Sequence, residues 1–166
     1  QLNPTNCSTS TVTVTVGAAP IDAVDDDFSG TPVNGASGGN TAGVLTNDSL
    51  NGGAVSVGGG GNVTLTPGAA PTPAAGSITM NSDGTITIAA GTPAGVYPYP
   101  YTICEVLNPT NGDTATATIV VSPAVIDAVD DTFPAINGGD GGTTTSVLVN
   151  DTLNGVAVDP AAVTLT

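Results

Sequence analysis

The chain repeats itself at long range, and that constrains its fold more than any other feature. LNPTN at Leu2–Asn6 returns at Leu107–Asn111, and IDAVDD at Ile21–Asp26 returns at Ile126–Asp131, both at an offset of 105 residues. VLTND at Val44–Asp48 returns as VLVND at Val147–Asp151, offset by 103, and VTLT at Val63–Thr66 returns at Val163–Thr166, offset by 100. The β-branched strings are kept while the Gly-rich stretches between them shorten, as surface loops tolerate. The unit is therefore about 105 residues, and the 166-residue chain is a window of about 1.6 units. Residues 1–17 read as the last strand of a preceding repeat, 18–122 as a complete repeat, and 123–166 as the first half of the next.

Composition then sets the class of each unit. Thr is the commonest residue and Val is nearly as frequent as Ala, and the strong helix formers are scarce or absent, so strands are favoured. With 23 Gly and 13 Pro, no 12-residue amphipathic helix can be written anywhere. Within the complete repeat, strands are expected at Ile21–Phe28, Thr41–Thr46, Asn62–Thr66, Gly76–Met80, Thr85–Ala89, Val96–Val106 and Thr114–Val121. In the last of these, Ala115, Ala117, Ile119 and Val121 alternate with threonines, as Val12, Val14 and Val16 do in TVTVTV, which marks a strand with one wet face. Asn81–Gly84 reads as a hairpin turn. Pro98 and Pro100 lack N–H groups that point the same way, so pairing on that edge starts only near Tyr101. Seven short strands separated by turn signals imply an all-β chain, an immunoglobulin-like β-sandwich in tandem.

Charge narrows the function. There are 14 acidic residues, no Lys, no Arg and no His, a net charge of −14. Nucleic acid and anionic membrane are excluded as direct partners, since neither can be held without cationic side chains. No apolar run approaches the roughly 18 residues of a membrane span, so direct membrane insertion is not expected. Gln1 is followed by no basic and apolar leader, and the chain reads as a piece of something longer. Catalysis is not expected either: there is one Glu, no Trp and three Tyr, too little for paired acids in an aromatic-lined cleft.

The acidic clusters carry the sharpest chemistry. In an immunoglobulin-like topology Asp25–Asp27, Asn47–Asp48, Glu105 and Asp113 converge at the end facing the preceding repeat. Carboxylates brought together without a cation repel one another. A calcium ion, with six to eight oxygen ligands in irregular geometry, relieves that repulsion, and Asp25, Asp26 and Asp48, with Asp130, Asp131 and Asp151 in the next copy, are the candidate ligands. The alternative is that Asp26 and Asp48 cap turn amides and the other aspartates are solvated. No EF-hand loop or nonapeptide calcium repeat is present. The threonine ladder Thr11, Thr13, Thr15 reads as the exposed face of a strand.

DAVDDDF, GVLTNDSLNG, GSITMNSDGTITI, GVYPYPYTICE and TATATIVV, in this order, resemble the immunoglobulin-like and cadherin-like repeats of giant bacterial surface adhesins. YTICEVLNPTN is similar to repeats in the type IX-secreted adhesins of gliding bacteria. The resemblance implies an extracellular, cell-surface stalk or filament used in attachment and sometimes in gliding motility. Its partners are then the neighbouring repeats of the same polypeptide, with a surface or host ligand bound through other regions. A laterally assembling surface layer or fibre is the alternative. Asp48-Ser49-Leu50, Asp113-Thr114-Ala115 and Asp151-Thr152-Leu153 resemble the O-glycan acceptor sites of gliding bacteria, making Ser49, Thr114 and Thr152 candidate glycosylation sites; the alternative is that these hydroxyls cap turns. The repeat alignment places Cys7 at the position of Gly112, so a copy with both cysteines has C-x7-C across its last hairpin. Cys7 and Cys104 fall in successive repeats, about one domain length apart, and no disulfide is expected between them.

Overall fold

The computed structural model describes residues 6–166; the start of the first expected segment, 1–5, lies outside them. The chain is all-β, with one short 3-10 turn among the described residues. In order come β1 (Ile21–Asp22), β2 (Asp26–Asp27), β3 (Val33–Asn34) and β4 (Gly39–Asn40). After the 3-10 turn at Val44–Thr46 come β5 (Ser49–Leu50), β6 (Gly53–Ala54), β7 (Val63–Pro67), β8 (Ile78–Met80) and β9 (Ile86–Ile88). The two long strands β10 (Gly95–Glu105) and β11 (Gly112–Ser122) follow, and then β12 (Ile126–Asp127), β13 (Thr152–Leu153) and β14 (Val156–Ala157).

One sheet has the order β2-β11-β10-β7, with β3 also on β11; the facing sheet is β4-β9-β8, and β1-β5-β6 forms a small third sheet. β2 and β3 run parallel to β11, while the other pairs are antiparallel. One core cluster joins the two large sheets: Tyr99, Tyr101 and Ile103 from β10 and Ala115, Ala117, Ile119 and Val121 from β11 meet Ile78, Met80, Ile86 and Ile88. The period-2 alternation thus points the residues inward that the sequence marks as apolar. Pro98 and Pro100 lie opposite Thr118 and Thr116 of β11, and the β7 side of β10 pairs only from Tyr101, opposite Pro67. The prolines leave that upper edge without donors and protect it from a stray strand.

Two expectations need correction. Thr41–Thr46 is not a strand: the Thr41 hydroxyl accepts the Ile86 amide at 3.1 Å and donates to the Ala42 carbonyl at 2.7 Å, and the chain then tightens into the 3-10 turn. A threonine side chain here takes the place of a ladder bond. Ile21–Phe28 is two strands, because the chain changes sheets between β1 and β2. Thr11–Val16, expected as the last strand of a preceding repeat, pairs with no strand of the 18–122 sandwich, and Val12, Val14 and Val16 are exposed.

Residues 126–157 rebuild the small sheet. Ile126 pairs with Leu153 and Thr152 with Ala157, as Ile21 pairs with Leu50 and Ser49 with Ala54. Ile126, Val149 and Leu165 are exposed. Within the complete repeat, stability against urea is expected to depend on the inward face of β11 and not on the outward face of β10. Ile119→Ala, at a fully buried site, lowers it by about 2–4 kcal/mol, while Val96→Ala, at an exposed site, changes it by less than about 0.5 kcal/mol. Equal losses at the two sites would contradict this assignment of the core.

Candidate functional site

The expected acidic site lies where the chain changes sheets. β1 hydrogen-bonds in the small sheet and β2 runs along β11, so the backbone of Ala23–Asp25 has no ladder. Backbone groups left inside a structure need partners, and here side chains supply them. The Ala23 amide donates to Asp113 Oδ2 at 2.9 Å and the Val24 amide to Asp48 Oδ1 at 2.8 Å. Asn47 Nδ2 donates to the carbonyls of Val24 and Asp25 at 3.1 and 3.2 Å. Asp25 Oδ1 accepts the Thr116 amide of β11 at 2.7 Å, and Asp27 Oδ1 caps the Ser29 amide at 2.8 Å. Asp113 and Asp48 pin the crossing from one side and Asp25 ties it to the large sheet.

The centre of the site is a tyrosine hydroxyl. Tyr101 Oη lies 3.1 Å from Asp26 Oδ2, 3.2 Å from each oxygen of Asp48, and 3.2 Å from the carbonyl oxygens of Val24 and Val44. It has one proton to donate among five oxygens. Asp26 and Asp48 are 7% and 4% exposed and Tyr101 is 1% exposed, so water does little for these charges. Burial pushes the Asp26 carboxyl up to about 6; the Tyr101 hydrogen bond opposes the shift and the Asp48 charge adds to it. Asp48 is also raised by burial, against the pull of the Val24 amide and the Tyr101 hydroxyl. Burial and the two carboxylates hold the Tyr101 hydroxyl protonated far above its ordinary range. The Ser29 amide holds Asp27 low.

Asp25, Asp26, Asp48 and Asp113 therefore border one stretch of backbone, but they do not converge on one point. Among the described residues no group of three or more acidic, His or Cys side chains is placed to hold a metal ion. Calcium requires six to eight oxygens at about 2.3–2.6 Å, and the Tyr101 hydroxyl fills the point that the Asp26 and Asp48 oxygens face. In this arrangement the carboxylate oxygens are taken up by backbone amides and the Tyr101 hydroxyl. Glu105 is buried, its Oε2 accepting Asn111 Nδ2 at 2.8 Å, and Asn111 Nδ2 also reaches the Ala19 carbonyl at 2.8 Å.

The next copy repeats the clamp. The Val129 amide donates to Asp151 Oδ1 at 2.8 Å, as Val24 does to Asp48, and Asn150 Nδ2 reaches the Asp130 carbonyl at 3.3 Å, as Asn47 reaches Asp25. Asp151 is buried, Asp131 half-buried and Asp130 exposed.

The hydroxyl candidates do not sit on turns. Ser49 lies in β5 opposite Asp22 and Ala54, and Thr152 lies in β13 opposite Asp127 and Ala157, both half-buried; Thr114 lies in β11 and is exposed. The turn comes two residues later, at Asn51–Gly52, where both φ angles are positive, 53° and 73°. That is the hairpin signature of an Asn-Gly pair, legible in the sequence but not used above. Cys104 lies directly opposite Gly112 on β11, and a Cβ at Gly112 would come within 2.6 Å of its Sγ. Cys7 is exposed. Tyr101 is the functional residue that sequence reasoning missed. Its signal was an inward-facing tyrosine on β10, which needs a partner for its hydroxyl.

The raised Asp26 gives a pH dependence. The folded state keeps a proton that the unfolded chain has lost, so this contribution is present below about pH 4 and is lost as pH rises through about 6. In chelator-treated protein, Asp26→Asn is expected to match the parent near pH 4 and to exceed it by roughly 1–2 kcal/mol at pH 7.5. A constant difference between the two across that range, measured by urea unfolding, would contradict the shift.

No family model and no curated protein matches the chain. Among solved structures it is similar to a SusE-like, surface-located polysaccharide-binding protein from the heparin utilisation locus of Bacteroides thetaiotaomicron. The TM-score is 0.37 and the identity 20%, over 63% of this chain and 15% of that one. The chain thus matches only a small part of that protein's length, and a likeness at this level assigns no function.

Proposed function

We propose that the chain is a stretch of an extracellular, bacterial cell-surface stalk or filament, an adhesin segment whose tandem sandwiches hold a binding region away from the cell and serve attachment or gliding. The observation that carries the proposal is the second clamp: β12, β13 and β14 recur with the registers of β1, β5 and β6, and Asp151 holds Val129 as Asp48 holds Val24. A unit that returns with both its hydrogen bonds and its sheet order is built to be strung in series. The motif resemblance supports a place outside the cell. Lateral assembly has less support, because Pro98 and Pro100 deny strand pairing to the free edge of β10.

Electron microscopy of the full-length protein tests the proposal. A thread of beads is expected, with one bead per repeat at a spacing of ~35–40 Å, about the length of an 11-residue strand with its turns. Regular lateral arrays would support the surface-layer reading instead. The same threads test calcium: if Asp25, Asp26, Asp48, Asp130, Asp131 and Asp151 bind it, chelation lowers the melting temperature and softens the thread. Unchanged melting and stiffness leave the amide clamps as the stiffening element.

Glycosylation is part of the proposal. In material from the native host, Ser49 and Thr152 are expected to carry the same O-linked mass, since each directly follows a clamp aspartate at the start of an equivalent strand, β5 or β13. Finding both hydroxyls bare would remove it.

A further inference from the structure

Consecutive copies touch through two asparagines. Asn34, at the end of β3, donates from Nδ2 to Asn154 Oδ1 at 2.9 Å, and Asn154 Nδ2 returns a bond to Asn34 Oδ1 at 3.3 Å. Each amide is also held by nearby backbone: Asn34 Oδ1 accepts the amides of Ala36 and Ser37 at 3.0 and 3.3 Å, and Asn154 Oδ1 accepts the Val125 amide of the linker at 2.9 Å. The loop behind Asn34 is pressed onto the sandwich. The Gly35 amide donates to Ser122 and its carbonyl accepts from Gly91, at 2.9 and 2.8 Å, and a Cβ on Gly35 would overlap the Thr92 carbonyl. Two polar groups fixed in advance meet at little entropic cost.

Both halves of this contact occur a second time in the chain. The turn recurs: Asn51–Gly52 has φ of 53° and 73°, Asn154–Gly155 has 54° and 73°. The Asn51 amide donates to Pro20 at 2.6 Å where the Asn154 amide donates to Val125 at 2.7 Å. The loop recurs as well, INGGDGG at Ile136–Gly142 matching VNGASGG at Val33–Gly39. Asn137 Oδ1 accepts the Gly139 amide at 2.9 Å, and the Asn137 carbonyl accepts the Gly141 amide at 2.9 Å, where the Asn34 carbonyl accepts the Gly38 amide at 2.8 Å. Asn137 Nδ2 also donates to Asp140 Oδ2 at 2.6 Å, which uses one of its two hydrogens. Asn51 is exposed, and its side-chain amide makes no hydrogen bond among the described residues.

We infer that these are the two faces of one repeated joint: the Asn51–Gly52 turn docks on the Asn34-type loop of the preceding copy, and the Asn137 loop receives the Asn51-type turn of the following one. The partner of each face is thus another sandwich of the same kind, and the inference rests on the tandem reading above. A joint closed the same way at every junction gives each repeat the same rotation relative to the last, and hence a regular superhelix. The Asn51 joint relies on the amide pair more than the Asn154 joint does. Pro20 stands where Val125 stands in the next copy and has no N–H to offer Asn51.

The test is a chain in which residues 18–122 precede residues 18–166. Every core residue lies between Phe28 and Val121, so each sandwich carries its own core. With Cys104→Ser in both copies and nitroxides on Thr79→Cys of each, pulsed-dipolar spectroscopy is expected to give one narrow distance distribution. Asn51→Ala in the second copy broadens it about twofold, towards the free motion of unlatched domains, while Asn108→Ala leaves it unchanged. Two intact sandwiches whose distribution ignores Asn51→Ala would overturn the joint alone. If scattering shows that the added copy does not form a second sandwich, the tandem reading fails with it.

Discussion

The Asp48 carboxylate on the Val24 amide is the interaction on which the rest of this molecule depends. The chain has fourteen acidic side chains and no cation, so a carboxylate taken out of water finds a counterpart only in backbone N–H, amide or hydroxyl groups. At Ala23–Asp25 the backbone needs acceptors, because it is passing between sheets and has no ladder. Each deficiency satisfies the other, and charge-assisted bonds of this kind are about twice as strong as neutral ones. The position of that bond decides where β1 ends, where β2 joins β11, and so how the segment after the linker is aimed into the sandwich.

The same short motif connects this clamp to the joint between repeats. In Asn47-Asp48-Ser49-Leu50-Asn51-Gly52, Asn47 and Asp48 hold the crossing strand, Ser49 and Leu50 pair with β1, and Asn51–Gly52 makes the turn. Asn150-Asp151-Thr152-Leu153-Asn154-Gly155 does the same, and its Asn154 meets Asn34 of the sandwich before it. Six residues therefore fix the entry of their own domain and its contact with the neighbour. Short linkers alone leave domains free to swing; a turn tied both to β1 and to the previous loop restrains that swing.

Much of this was legible in advance. Alternation in Thr114–Val121 identified the inward face of β11, and the missing N–H groups of Pro98 and Pro100 located where β7 begins to pair. The repeated strings IDAVDD and VLTND mark where β1, β5, β12 and β13 fall, but the small sheet they build was not expected. What was not legible depends on contacts between residues far apart in sequence. Ile21–Phe28 reads as one strand because nothing local reveals a change of sheet. Thr41 gives no sign that its hydroxyl will replace a ladder bond with Ile86. Tyr101 lies 75 residues from Asp26 and 53 from Asp48, so its place among their oxygens is a product of the fold. The aspartates were found by type and spacing, and their convergence at the domain end was expected. Amide capping was one of the two readings the sequence offered; which amides are held, Val24 by Asp48 and Ala23 by Asp113, depends on the unladdered backbone beside them.

Amide hydrogen exchange at Val24 and Val129 tests the clamp most directly. Neither amide belongs to a strand, so without the aspartates both exchange at the rate of an exposed loop. The clamp requires slow exchange at both, and Asp48→Ala must release Val24 while leaving Val129 protected. Fast exchange at Val24 in the intact protein, or protection that survives Asp48→Ala, would contradict it.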